Sequence, residues 1–160
     1  MPSDETGSDR TFRSGDFQVY SRSAQLTVNR MIAVQLDHLH VKSSASDVSA
    51  RFYADAFGAY IVSTTEVNGR TRMVLELGGI RLFIEDAAAE AASASAIPAK
   101  GLEHIGLQVS DLDEAVRHLD SIGIALAVGP TQGKPGIRTA FLYGPDGEYI
   151  ELIERRNIPQ

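Results

Sequence analysis

Two histidines occupy nearly the same phrase in this chain: Leu36-Asp37-His38-Leu39 and Leu102-Glu103-His104-Ile105. Each phrase opens a strand-like run, followed by a Ser/Asp-capped helical pattern and then by further strands. Neutral imidazole nitrogens are ligands for Zn, Mn, Fe, Co or Ni. If two like modules pack around a pseudo-twofold axis, His38 and His104 converge on one site. A repeat of this kind governs the reading of the whole fold. His40 stands two residues beyond His38, and strand side chains alternate faces, so both imidazoles point the same way. His40 is therefore placed to be a donor behind the site, a general base or an alternative ligand, unless it is satisfied locally.

The elements that must position these residues follow the same plan twice. Residues 32–41 read as a strand, Ser43 to Asp47 supply cap candidates, and a helix over 48–57 carries Val48, Phe52 and Ala56 at helical spacing before Gly58 ends it. Strands are predicted over 60–67, 70–77 and 80–85, with Asn68-Gly69 as a two-residue hairpin turn and Gly78-Gly79 as the next. The second module predicts a strand over 103–109 and a helix capped by Ser110/Asp111 that runs to about Ile122. Strands over 124–128, 139–143 and 148–154 complete it, the last turn being Gly144-Pro145-Asp146-Gly147. The expected fold class is α+β: two βαβββ modules forming curled mixed sheets around a shared cavity, with the helices outside. Module one spans residues 32–85, an Ala/Ser-rich linker 86–100, and module two 101–156. Residues 1–31 are polar, have no continuous apolar stretch, and read as a flexible N-terminal extension.

Composition excludes several classes of function. The chain has 160 residues, 43% hydrophobic and 22% charged, enough for one domain or two small modules sharing a core. A net charge of −6 argues against nucleic acid as a partner, because phosphate binding is driven by basic surface. No apolar run approaches a membrane span. Without cysteine there are no disulfides, thiolate ligands or cysteine nucleophiles, which is compatible with a cytoplasmic location.

The repeated His phrases, Arg51-Phe52-Tyr53 with Phe57-Gly58-Ala59, Val109-Ser110-Asp111-Leu112, and Gly144-Pro145-Asp146-Gly147 with Ile150-Glu151-Leu152 together resemble the vicinal oxygen chelate superfamily over about residues 34–155. That superfamily includes glyoxalase I, extradiol dioxygenases, fosfomycin-inactivating transferases and bleomycin-binding resistance proteins. The resemblance implies a divalent metal ion (Fe, Mn, Zn, Co or Ni) held by His38, His104 and Glu151. Two His and one carboxylate leave open positions for substrate oxygens or O₂. It also implies a small-molecule substrate and a homodimer, with the site formed within one chain or across two.

Aligning residues 79–84 with 147–152 places Phe83 opposite Glu151, and phenylalanine cannot coordinate. This departs from a four-ligand glyoxalase I site. Phe141 and Gln132-Gly133-Lys134 stand where ring-cleaving relatives carry Tyr and His, a departure from catechol cleavage. Lyase or isomerase chemistry is therefore expected ahead of two alternatives, an Fe(II)/Mn(II) dioxygenase with a 2-His-1-Glu triad and a metal-free drug-binding protein. Tyr143 is a candidate for proton donation or substrate orientation, or for packing alone. Lys134 and Arg138, read as lying in the loop before the last hairpin, and Arg81, on Phe83's strand face, are candidates for substrate binding alongside Phe83. His118 reads as an exposed helix residue, and Glu85 and Glu154, at strand ends, rank behind Glu151 as ligands.

Overall fold

The computed structural model describes residues 34–92 and 100–156. The expected N-terminal extension, residues 32 and 33 of the first predicted strand, and residues 93–99 of the linker lie outside the described residues. Ten elements follow one another as β1 (His38–Ser43), α1 (Ser46–Phe57), β2 (Tyr60–Val67), β3 (Arg70–Leu77), β4 (Ile80–Asp86), β5 (Ile105–Val109), α2 (Leu112–Ser121), β6 (Leu126–Gln132), β7 (Ile137–Tyr143) and β8 (Tyr149–Arg155). They form two four-stranded mixed sheets, ordered β1-β4-β3-β2 and β5-β8-β7-β6. In each, the first strand runs parallel to the last and the remaining pairs are antiparallel. This is the α+β, two-module architecture that the repeat predicts.

Strand alternation divides each sheet into two faces. Leu82 and Ile84 of β4 point to one side, and Ile150 and Leu152 of β8 repeat the arrangement. All four are 1% exposed or less. With Leu75, Ala140 and Leu142 from the sheets, Ala50 and Tyr53 from α1, and Leu112 and Leu119 from α2, they form one buried cluster spanning both modules. The opposite faces carry the polar and aromatic residues: His38, His40, Lys42, Phe83 and Glu85 in the first sheet, Phe141, Tyr149 and Glu151 in the second.

The helix α1 starts two residues earlier than predicted and turns a different stripe inward. Ser49, Ala50, Tyr53 and Ala56 are buried, whereas Val48 is exposed. Its N-terminus also has no side-chain cap from its own cap residue, Ala45. The backbone N–H of Ser46 donates instead to Asp86 at 2.9 Å, and that of Ser44 to Asp146 at 2.8 Å. Asp146 also accepts from the Ser49 hydroxyl at 3.0 Å, so the turn of one module is tied to the start of the helix of the other. The adjoining Tyr53 hydroxyl donates to Glu148 at 3.4 Å. Burial, and then the Glu148 carboxylate, push the Tyr53 pKa well up, so it remains a donor. A Cβ at Gly144 would lie 2.5 Å from a Glu148 carboxylate oxygen, so any larger residue there would displace that carboxylate.

The second helix keeps to its prediction. Asp111 caps α2, accepting from the Glu114 N–H at 2.9 Å. Asp111→Ala is expected to cost about 1 kcal/mol, read as a shift of the urea midpoint at unchanged slope.

Two boundaries in the second module need correction. β6 runs to Gln132 through Gly129 and Pro130, not only to Val128. It is the outer strand of its sheet, where a proline removes no ladder bond that must be made. Its pairing with β7 is irregular between Leu126 and Val128 and again between Val128 and Thr131. β7 begins at Ile137, so Arg138 belongs to a strand and not to a loop.

Candidate metal centre

His38 opens β1, and His104 lies one residue before β5. Each carries its neighbouring acid on the same ring nitrogen. The Nδ1 of His38 is 2.6 Å from Asp37 Oδ2, and the Nδ1 of His104 is 3.3 Å from Glu103 Oε2. A proton on Nδ1 donated to a carboxylate leaves the Nε2 lone pair free, the arrangement found for histidines that bind metals. The acid before each histidine stands in plain view in the repeated phrase, but its role becomes evident only from these contacts.

The two histidines then meet different partners along the same diagonal. His104 Nε2 lies 3.5 Å from Glu151 Oε2. Bonds of about 2.1 Å to a single ion would separate neighbouring ligand atoms by roughly 3.0–3.4 Å, so this spacing suits two ligands of one ion. In the first module the equivalent corner holds Phe83, whose ring stacks on His38 with centroids 4.2 Å apart and planes 9° from parallel. Phe83 thus fixes the His38 ring and adds no ligand. Among the described residues of one chain, no three His, Asp or Glu side chains form a group that could hold an ion. The donor types fit a divalent ion, with His38 in one half and His104 with Glu151 in the other.

His40 shares the first half with His38. Its Nε2 is 3.7 Å from Glu85, whose carboxylate is also bonded by Lys42 and by Arg72 Nε, the latter at 2.6 Å. Burial first, and then the Lys42 and Arg72 cations, lower the His40 pKa below the ordinary histidine value against the opposing pull of Glu85. Glu85 is 5% exposed, and its pKa is lowered to about 2, chiefly by the hydrogen bonds from Lys42 and Arg72. The sequence places Glu85 behind Glu151 as a ligand because it stands at a strand end. Its strand face is the one that Phe83 shares, which was the available signal.

A depressed carboxyl pKa sets the sign of its contribution to stability. The contribution is fully present above the ordinary value of 4.5 and is lost as the pH falls through about 2. Thermal melts between about pH 6 and about pH 2 are therefore expected to show a falling midpoint, with the fall reduced in Glu85→Gln.

The second half carries an aromatic wall. Phe141 and Tyr149 stack with centroids 4.9 Å apart, Tyr143 lies 5.1 Å from Tyr149, and Phe141 meets the His104 ring edge to face at 6.0 Å. A cavity of about 800 Å³ is lined by His40 and Lys42 from the first module and by Glu103, His104 and Tyr149 from the second.

Of the candidate residues, His40 and His104 line this space, whereas His38, Phe83, Tyr143 and Glu151 lie outside its lining. Arg138 points to the α2 side of its sheet, where it donates to Asp113 at 2.7 and 2.9 Å and to Glu154 at 3.2 Å. The expected loop position is replaced by a tie between strand and helix. Lys134 is exposed in the β6–β7 turn. Arg81 is on the cavity face but pairs with Glu76 at 3.2 Å. His118 Nε2 donates to the Asp55 carbonyl at 2.7 Å, joining the two helices.

The two-module fold is matched by comparison with known proteins. The chain belongs to the Glyoxalase/Bleomycin resistance protein/Dioxygenase superfamily, which it matches over residues 35–152. It is 32% identical over 129 residues to the uncharacterized protein YaeR of Escherichia coli (strain K12), covering 76% of this chain and 96% of that one. Among solved structures, a glyoxalase family protein from Enterococcus faecalis is 25% identical with a TM-score of 0.62, covering 75% of this chain and 97% of the other. A variant of the fosfomycin resistance protein FosX from Listeria monocytogenes, solved with Mn(II) and 1S,2S-dihydroxypropylphosphonic acid, has a TM-score of 0.61. At 15% identity, over 79% of this chain and 96% of that one, it is alike in fold. The superfamily holds enzymes and resistance proteins alike. Among the described residues, no helix is long and apolar enough to cross a membrane.

Proposed function

We propose that this protein is a divalent-metal-dependent enzyme acting on a small substrate with two neighbouring oxygens, its ion held by His38, His104 and Glu151. The observation that carries this reading is the pair of matched imidazoles, each with Nδ1 on a carboxylate and Nε2 left to ligate. His104 already has Glu151 at ligand spacing. Among the described residues no third ligand is grouped with them in one chain, so the reading includes a second copy that brings its His38 half to this half in a twofold dimer.

A bound ion would supply Lewis acidity to the substrate oxygens. The chain's own residues do the rest. Phe83 occupies the corner opposite Glu151 and leaves it to substrate. His40, neutral and backed by Glu85, is placed to take or return a proton. Phe141 and Tyr149 offer a flat wall to the substrate body. Proton movement at a chelated substrate, as in lyases and isomerases, is the chemistry this set serves.

Titrating metal-free protein with Mn(II), Fe(II), Co(II), Ni(II) and Zn(II) tests the reading. One ion per chain is expected, with affinity at least about tenfold weaker in Glu151→Ala. If none of these ions binds, the reading fails and a metal-free binding protein takes its place.

A further inference from the structure

The cluster of Lys42, Arg72 and Glu85 on the cavity face of the first sheet is the one strongly charged group there whose purpose the metal centre does not explain. Glu85 is almost fully buried, with Lys42 on one carboxylate oxygen and Arg72 on the other. Two cations on one anion leave a net charge of about +1. Lys42 retains further N–H bonds beyond the one to Glu85, and Arg72 retains its other guanidinium nitrogen. Among the described residues, Glu85 is the only carboxylate bonded to either cation.

The repeat shows what the fold itself needs at these positions. Across the first sheet Lys42 pairs with Glu85, and Glu85 with Arg72. Across the second, Gln108 pairs with Ile153, and Ile153 with Thr139. The same architecture is therefore built at the same three register points with no charge at all. Burying a carboxylate is costly even when paired, and an apolar group of similar size commonly serves stability as well. The architecture therefore does not require the charges of the first sheet.

Lys42 lines the cavity beside His40, facing His104 and Tyr149 across it. Arg72 lies over the Phe83 ring, 5.9 Å from its centroid, and that ring stacks on His38. We infer that Lys42 and Arg72, held in place by Glu85, form an oxyanion-binding end of the substrate cavity, and that the substrate carries a carboxylate or a phosphate-like group. This deepens the proposed function and rests on the same cavity being the substrate site. The substrate is then a small anion, with its charged group at Lys42 and Arg72 and its chelating oxygens towards His38.

Metal-free, full-length protein titrated with inorganic phosphate, and separately with acetate, provides the test, with the Arg72 Nε–H resonance followed by NMR. A saturable shift is expected with at least one anion, and which one binds more tightly separates a phosphate-like group from a carboxylate. Lys42→Met is expected to weaken that binding at least tenfold, whereas Arg70→Gln, which removes one cation from the exposed hairpin, leaves it unchanged. Because Lys42→Met strands part of a buried carboxylate, the triple variant Lys42→Gln, Arg72→Thr, Glu85→Ile copies the second module instead. It is expected to fold, to bind Mn(II) like the parent, and to lose the anion, read here from the phosphorus or carbon line width of the probe. No saturable binding of either anion, equal weakening in Arg70→Gln, anion binding retained in the triple variant, or failure of that variant to fold would each overturn the inference. Mn(II) binding without anion binding would remove this inference and leave the metal centre standing. Anion binding without Mn(II) binding would do the reverse.

Discussion

His38→Ala and His104→Ala are each expected to lower divalent-ion affinity at least about 100-fold, beyond the 10–100-fold effects of groups that merely support a ligand. The two variants are also expected to rescue one another when mixed. In a dimer that joins the first module of one chain to the second module of the other, a mixed pair holds one site lacking both histidines and one intact site. If each site were built within a single chain, every site in the mixture would lack one histidine. Metal binding by the separate variants and by their refolded mixture therefore distinguishes the two arrangements. The contacts favour the first, because within one chain His38 meets Asp37 and Phe83 while His104 meets Glu103 and Glu151.

Leu152→Ala is expected to destabilise the chain by about 2–5 kcal/mol. Leu152 is 1% exposed and pairs with Leu107 of β5 on one side and Ala140 of β7 on the other. Its side chain belongs to the cluster shared by both modules, so a void there is felt by α2 and by two strands. At roughly 2–4 °C per kcal/mol for a chain of this size, the melting midpoint should fall well outside error. Val128→Ala, on the exposed outer strand, is expected to stay within about 0.5 kcal/mol.

Much of this organisation is legible in the sequence, and the exceptions have physical causes. The repeated histidine phrase, the Asn68-Gly69 turn and the alternation that buries Leu82, Ile84, Ile150 and Leu152 are local patterns, and they reappear in the structure. The inward stripe of α1 was not legible. Its first N–H is capped by Asp86 and the residues around its start are held by Asp146, both distant in the chain, and its buried face is lined by small residues with Tyr53 tethered to Glu148. The strand expected to end at Val128 continues through Pro130 to Gln132 as an outer strand, where no neighbour requires the missing N–H. Arg138 resembled a free loop cation until strand register set it beside Asp113 and Glu154. Lys42, Arg72 and Glu85 come from three strands, and only the sheet order brings them together.

One ion is expected to take nitrogen from both repeats. Electron paramagnetic resonance of the Mn(II)-loaded protein, with histidine labelled by ¹⁵N, measures this directly through the nitrogen couplings to the ion. Two imidazole nitrogens per ion are expected in the parent, and one in either His38→Ala or His104→Ala at ion concentrations high enough to load them. A single coupled imidazole in the parent, or couplings unchanged by both substitutions, would contradict it.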